Sequence, residues 1–187
     1  MRHDVVMHDI VIRNGTIIDG TNTEPYLGEI AIDGDTIVAV GPPGTVAADG
    51  RREIDADGQI VTPGWVDIHT HYDAQATWDP YLTPAGWHGV ATVVMGSCGV
   101  GFAPAHTDSR EWLIRLMEGV EDIPGAALTD GISWEWETFP EYLDALDRRE
   151  FIADIGAQMP HGALRAYVMG DRSADGIEAT PEEIRQM

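Results

Sequence analysis

The sequence predicts an α/β chain in two successive parts, a small β-sandwich segment over residues 1–62 and the opening of a parallel β/α architecture over residues 63–187. Two changes of texture carry that expectation. From Val5 to about Val61, β-branched runs alternate with turn residues. Beyond Pro63 and Gly64, short apolar strands alternate with stretches at helical spacing.

In the first part, "DIVIRNGTIIDG", "GEIAIDGDTIVAVG" and "REIDADGQIVTPG" each read as a hairpin. Their turns fall at Asn14 and Gly15, at Gly34, and at Asp57 and Gly58, residues that tolerate positive φ and so reverse an antiparallel ribbon. Gly41-Pro42-Pro43-Gly44 reads as an exposed loop between two of them. In the second part, Trp65 to Ile68 is a short apolar strand, Pro84 to Val90 a short helix and Ala91 to Met95 a second, buried strand, which together make a βαβ unit. "DSREWLIRLMEG" sets Trp112, Leu113, Leu116 and Met117 at helical spacing behind a cap at Asp108 or Ser109. "FPEYLDALDRRE" does the same with Tyr142, Leu143 and Leu146. "FIADIGAQM" is a third strand, "HGALRAYVMG" a helix after it, and Thr180 with Pro181 and Glu183 a further helix start. Three parallel strands cannot close a barrel, so the expectation is the amino-terminal piece of a longer enzyme. Trp134, Trp136, Phe139 and Tyr142 read either as loop aromatics covering the outside or mouth or as a substrate wall.

Composition narrows the function. The 187 residues are 43% hydrophobic and carry 11 basic against 32 acidic groups, a formal charge of −21. That field repels nucleic acid and anionic membrane surfaces, so neither is an expected partner. All the basic residues are arginine, and no lysine is available to bridge metal ions. Cys98 is the sole cysteine, which excludes an intrachain disulfide. No stretch has the pattern of a signal peptide or the length of a membrane span, so a soluble, cytoplasmic protein is expected.

Three constellations can carry chemistry. In a strand, residues two apart face one side, so His69 and His71 project together while Thr70 points away. They stand at the carboxyl end of the first parallel strand, where barrels and open α/β sheets place active sites. Either they hold a metal or they close the strand as satisfied polar residues. Cys98 lies just past the second strand among Gly96, Gly99 and Gly101, whose freedom lets the backbone turn sharply. It is a zinc ligand or a buried small hydrophobe, and less a nucleophile, because no histidine is placed locally to activate it. His161, after the third strand, either orients a substrate carboxylate with Arg165, four residues on, or caps the helix and bonds neighbouring loops. Asp67 shares the parity of the histidine pair and could orient an imidazole, whereas Asp73 reads as loop hydrogen bonding. His3, His8, His88 and His106 have no partner pattern and read as surface or packing residues.

Taken in order, "DIVIRNGTIIDGT", "GDTIVAVG", "IDADGQIVTPGWVDIHTHYD", "GVATVVMGSCGVGFAP" and "MPHGALR" resemble the amidohydrolase superfamily. Within it they are similar to the D-aminoacylase, or N-acyl-D-amino-acid deacylase, family, over about Asp9 to Met187. The resemblance implies a composite amidohydrolase fold, an incomplete TIM-type (β/α) barrel preceded by a small β-sandwich segment. It implies Cys98 as a ligand of one tightly held Zn2+, and His69 with His71 as part of a second, weaker divalent metal position. Two more histidines and the acid/base aspartate are then expected on later strands, beyond Met187. The implied reaction is hydrolysis of the amide bond of an N-acyl-D-amino acid by metal-activated water, with the 187-residue piece itself inactive. The rivals are an amidohydrolase acting on cyclic amides or on N-carbamoyl or other N-acyl compounds, and a non-catalytic structural fragment.

Overall fold

The computed structural model describes residues 7–121, 123–173 and 176–187. The chain divides into two compact units, Met1–Pro63 and Gly64–Met187. No helix among the described residues is long and apolar enough to cross a membrane. His3 falls outside the described residues.

The first unit is one five-stranded sheet. β1 (His8–Ile17), β2 (Tyr26–Asp33), β3 (Thr36–Gly41) and β4 (Gly50–Asp55) lie in the order β3-β2-β1-β4, and β5 (Ile60–Val61) also pairs with β1. Only one of the three expected tight hairpins forms, at Gly34, where β2 turns into β3 and Asp33 faces Thr36. Asn14 and Gly15 do not reverse the chain. They sit within β1, Asn14 at φ 58°, at an irregularity in the β1–β2 register between Ile12 and Gly15. Asp57 and Gly58 make no hairpin either, because β4 and β5 both run parallel to β1.

The two irregularities explain each other. The Ala56 amide donates to the Arg13 carbonyl at 2.9 Å and the Gly58 amide to the Asn14 carbonyl at 2.8 Å. The Asn14 side chain in turn donates to Asp55 Oδ1 at 3.0 Å. The turn between β4 and β5 is therefore docked on the irregular stretch of β1, and turn-forming residues serve a bulge.

Val11, Ala31 and Ala39 line up across three strands and pack with the buried Val46. The opposite face carries Ile10 beside Ile32 and Ile37, and Ile12 beside Ile30 and Val40, with Ile37 and Val40 exposed. Both faces are thus apolar. Among the described residues the first unit nonetheless contains one sheet and not two.

The second unit is built on a three-stranded parallel sheet, β6 (Trp65–Asp67), β7 (Val90–Met95) and β8 (Asp154–Ala157), with β7 central. A 3-10 turn over Ala85–His88 stands where a short helix was expected. Helices α1 (Arg110–Glu121), α2 (Gly125–Gly131), α3 (Phe139–Asp147), α4 (His161–Met169) and α5 (Pro181–Gln186) complete it. The sheet is mixed with helices as expected of an α/β chain, and three strands leave it open.

α1 buries Leu113, Ile114 and Met117, with Trp112 and Leu116 packed at the edge. Asp108 and Ser109 do not cap it, since both lie in a 3-10 turn that precedes the helix and the Ser109 hydroxyl donates back to the His106 carbonyl. α3 begins with a reciprocal cap between Thr138 and Glu141 and buries Tyr142, Ala145 and Leu146, leaving Leu143 exposed. α5 starts with the same device, Thr180 and Glu183. α2, "GAALTDG", was not anticipated, because its two terminal glycines and single large apolar residue give it no helical signal.

Within the aromatic run, Trp136 and Tyr142 are core residues, while Trp134 and Phe139 are partly buried against them. Trp136 and Tyr142 are 3% and 2% exposed, their rings 4.8 Å apart, and the Trp136 indole donates to the Phe102 carbonyl at 2.8 Å. Trp134 packs on Phe102 edge to face. These rings belong to the core that also holds Val93 and Met95 of the central strand. Replacing Trp136 with Ala removes the ring and orphans a carbonyl. The expected loss is about 3–5 kcal/mol of unfolding free energy, read from urea denaturation.

Candidate metal centre

β6 ends at Asp67, but its alignment with β7 continues. The Thr70 amide and the Thr70 hydroxyl both donate to the Val94 carbonyl, each at 2.9 Å. Thr70 is buried, and its neighbours on either side project away from it. Asp67 Oδ1 accepts from the His69 amide at 3.1 Å. It therefore shapes the backbone of the motif and does not reach an imidazole. The two histidine rings lie 5.5 Å apart.

One strand over, Cys98 sits in a tight 3-10 turn, Ser97–Gly99, immediately after β7. Gly96, Cys98 and Gly99 all have positive φ, at 82°, 55° and 75°. For cysteine this left-handed backbone costs on the order of 1–3 kcal/mol and persists only where the surroundings hold it. A Cβ on Gly96 would fall 2.1 Å from the Gln158 carbonyl at the end of β8, so only glycine fits there. The turn aims Cys98 at the histidines, and its Sγ lies 3.1 Å from His69 Nε2. A histidine thus does reach the thiol, from the preceding strand, which local sequence could not show.

Donor atoms of His69, His71 and Cys98 all lie within 4.8 Å of one another. His71 Nδ1 is buried without a hydrogen-bond partner. Left unmet, such a group costs about 1–3 kcal/mol. Two imidazoles, one of them holding an orphaned ring nitrogen, and one thiol form the nitrogen and sulfur donor set that suits zinc, so the residues present fit a divalent ion.

Other candidates fall elsewhere. Asp73, expected to bond within a loop, is only 2% exposed. Burial pushes its carboxyl up to about 7 against the Gly96 amide, which donates to its Oδ2 at 3.2 Å. The Arg165 guanidinium donates to the Ile177 carbonyl at 2.8 Å. His161 is exposed at the first turn of α4, whose N-cap is Pro160. His8 and His106, expected to lack partners, both meet carboxylates at 3.0 Å, Asp33 and Glu137, and His106 stacks on Tyr167.

One residue was missed. Glu121 Oε1 lies 3.4 Å from His71 Nε2. Its only sequence signal is an acid at the last position of a helix, where the macrodipole favours a cation.

A profile of the Amidohydrolase family matches residues 52–187, from the end of the first unit through both the histidine pair and Cys98. The chain belongs to the amidohydrolase family. This amidohydrolase is 36% identical over 179 residues to a D-aminoacylase of Alcaligenes xylosoxydans xylosoxydans, an alignment that covers 96% of this chain and 34% of that protein. It superposes with a TM-score of 0.76 on a solved D-aminoacylase with a binuclear metal centre, at 36% identity over 95% of this chain and 34% of that one. N-acyl-D-glutamate deacylase from Bordetella bronchiseptica, solved with zinc and a phosphonate inhibitor, gives the same TM-score at 30% identity, over 96% and 34%. The chain therefore spans about a third of the length of these relatives. Their likeness places it in the amidohydrolase fold, of which three parallel strands are present here and no closed barrel.

The loop that carries the histidines onward to β7 is pinned by Asp79. Burial alone would raise its pKa, but bonds from the Gln75 side chain, the Thr83 amide and hydroxyl, and the Tyr81 amide bring it to about 2. A carboxyl whose folded value lies below its unfolded one stabilises the fold above the unfolded value. That stabilisation fades as pH falls from about 4 toward about 2. Asp79→Asn should flatten this acid limb in urea titrations at successive pH values, and lower stability near neutrality.

Proposed function

We propose that His69, His71 and Cys98 are metal ligands, and that the full-length protein hydrolyses the amide bond of N-acyl-D-amino acids to a carboxylate and a D-amino acid. The observation that carries this reading is the convergence of the three side chains from the ends of two adjacent parallel strands. Relatives named D-aminoacylase, N-acyl-D-aspartate deacylase and N-acyl-D-glutamate deacylase support the substrate class. Zinc is the proposed tight ion, held by Cys98, with His69 and His71 at a second and weaker position.

A bound zinc ion supplies water of lowered pKa and polarises a carbonyl. The chain's own contribution is placement. Asp67 and Thr70 fix the backbone so that both imidazoles leave the same side. The left-handed turn presents the Cys98 thiol to them. The acid/base aspartate is assigned to a later part of the protein, and the proposed partner is a small N-acyl amino acid.

Metal analysis tests the site. Full-length protein with Cys98→Ala should lose its tightly held zinc together with activity, and retention of both would reject the assignment. A substrate panel tests the reaction. N-acyl-D-amino acids should be turned over well ahead of N-acyl-L-amino acids and hydantoins, whereas a preference for hydantoins would move the enzyme to cyclic amides.

A further inference from the structure

Asp73 follows the histidine motif by two residues, and its carboxylate is enclosed by the loop that carries Cys98. Its Oδ2 accepts from the Gly96 amide at 3.2 Å, on the amino side of Cys98. Its Oδ1 lies against Gly101, on the carboxyl side, where an added Cβ would fall 2.8 Å from it. The two ends of the cysteine loop thus close on the two oxygens of one side chain. Asp73 is in turn fixed from behind, because the buried Tyr142 hydroxyl donates to its carbonyl at 2.8 Å. α3 therefore holds the residue that holds the loop.

The loop also rests on the start of α4 at Gly99 and is held past Gly101 by the Trp136 indole on the Phe102 carbonyl, but neither of these ties it to the histidine segment. His69 and His71 are tied to β7 through Thr70 and Val94, before the cysteine loop begins. Beyond Met95, the loop's own inner bond is the Val100 amide to the Ser97 carbonyl. That bond shapes the turn but does not relate it to the histidines. Asp73 makes that relation, on the chain segment the histidines themselves occupy.

We propose that Asp73 is a positioning residue for the metal site, the post on which the Cys98 loop closes so that the sulfur meets His69 and His71. The proposal rests on the reading of those three residues as ligands and assigns Asp73 no contact with metal or substrate. Residues that orient metal ligands typically change metal affinity by about 10- to 100-fold when removed.

Cobalt(II) is a suitable probe in the full-length protein, since a thiolate ligand gives it a near-ultraviolet charge-transfer absorption. Asp73→Asn keeps an oxygen for the Gly96 amide and should retain both the absorption and near wild-type cobalt affinity. Asp73→Ala should weaken binding about tenfold or more and diminish the absorption, with the far-ultraviolet dichroism unchanged. Gly101→Ala drives a methyl toward the carboxylate and Pro160 while leaving Asp73 in place, and should repeat the loss; it decides the matter if Asp73→Ala fails to fold. Folded Asp73→Ala or Gly101→Ala protein with wild-type affinity and absorption would overturn the proposal and leave the ligand assignment standing. Wild-type protein without the thiolate absorption would remove the ligand assignment and this proposal together.

Discussion

One carbonyl oxygen, that of Val94, accepts two hydrogen bonds from a single residue, Thr70. β6 is only three residues long, and both Trp65 and Val66 are exposed. A strand so short, with so little burial, sets the direction of the residues beyond its end poorly. The paired bonds extend its alignment with β7 past Asp67 and make Thr70 the inward residue, which obliges His69 and His71 to leave on the other side. Everything else at the site presupposes that register. A slip of one residue would aim Thr70 outward and fold both imidazoles into the core.

The opposite partner is organised by the reverse strategy. The Cys98 turn has almost no regular pairing and relies on left-handed backbone at three of four consecutive residues. Such a turn has a narrow conformational range, so it aims the thiol with little freedom to wander once its ends are fixed. The site is thereby assembled from one element set by strand register and one set by turn geometry. β7, buried at Val93 and Met95, joins them.

How much of this the sequence disclosed depends on the range of the interactions. His69 and His71 were legible because their relation is period two within one strand, and Cys98 because glycines crowd around it. The helical faces of α1 and α3 were legible for the same local reason, with Leu113, Met117, Tyr142 and Leu146 falling at helical spacing. The 3.1 Å approach of His69 to Cys98 crosses 29 residues and leaves no local mark. Asn14 with Gly15, and Asp57 with Gly58, were misread because residues that permit positive φ serve bulges as readily as hairpins; their meaning lies in the pairing of β4 and β5 with β1. Asp73 reads as a loop hydrogen-bonding residue, which its bond from the Gly96 amide agrees with, but the depth of its burial leaves no local mark. Its partners are a backbone amide 23 residues away and a tyrosine 69 residues away. Trp136 is the opposite case, since an aromatic among acids resembles a surface residue until its core contacts are known.

The closeness of Gly96 to the Gln158 carbonyl reaches beyond mechanics into how this family can change. At 2.1 Å for the first carbon of any side chain, the position admits no substitution while the end of β8 stays where it is. The cysteine turn and the third strand are therefore heritable as a pair: a lineage that altered one would have to carry a matching change in the other. The thiol's surroundings therefore change together with the end of the neighbouring strand or not at all.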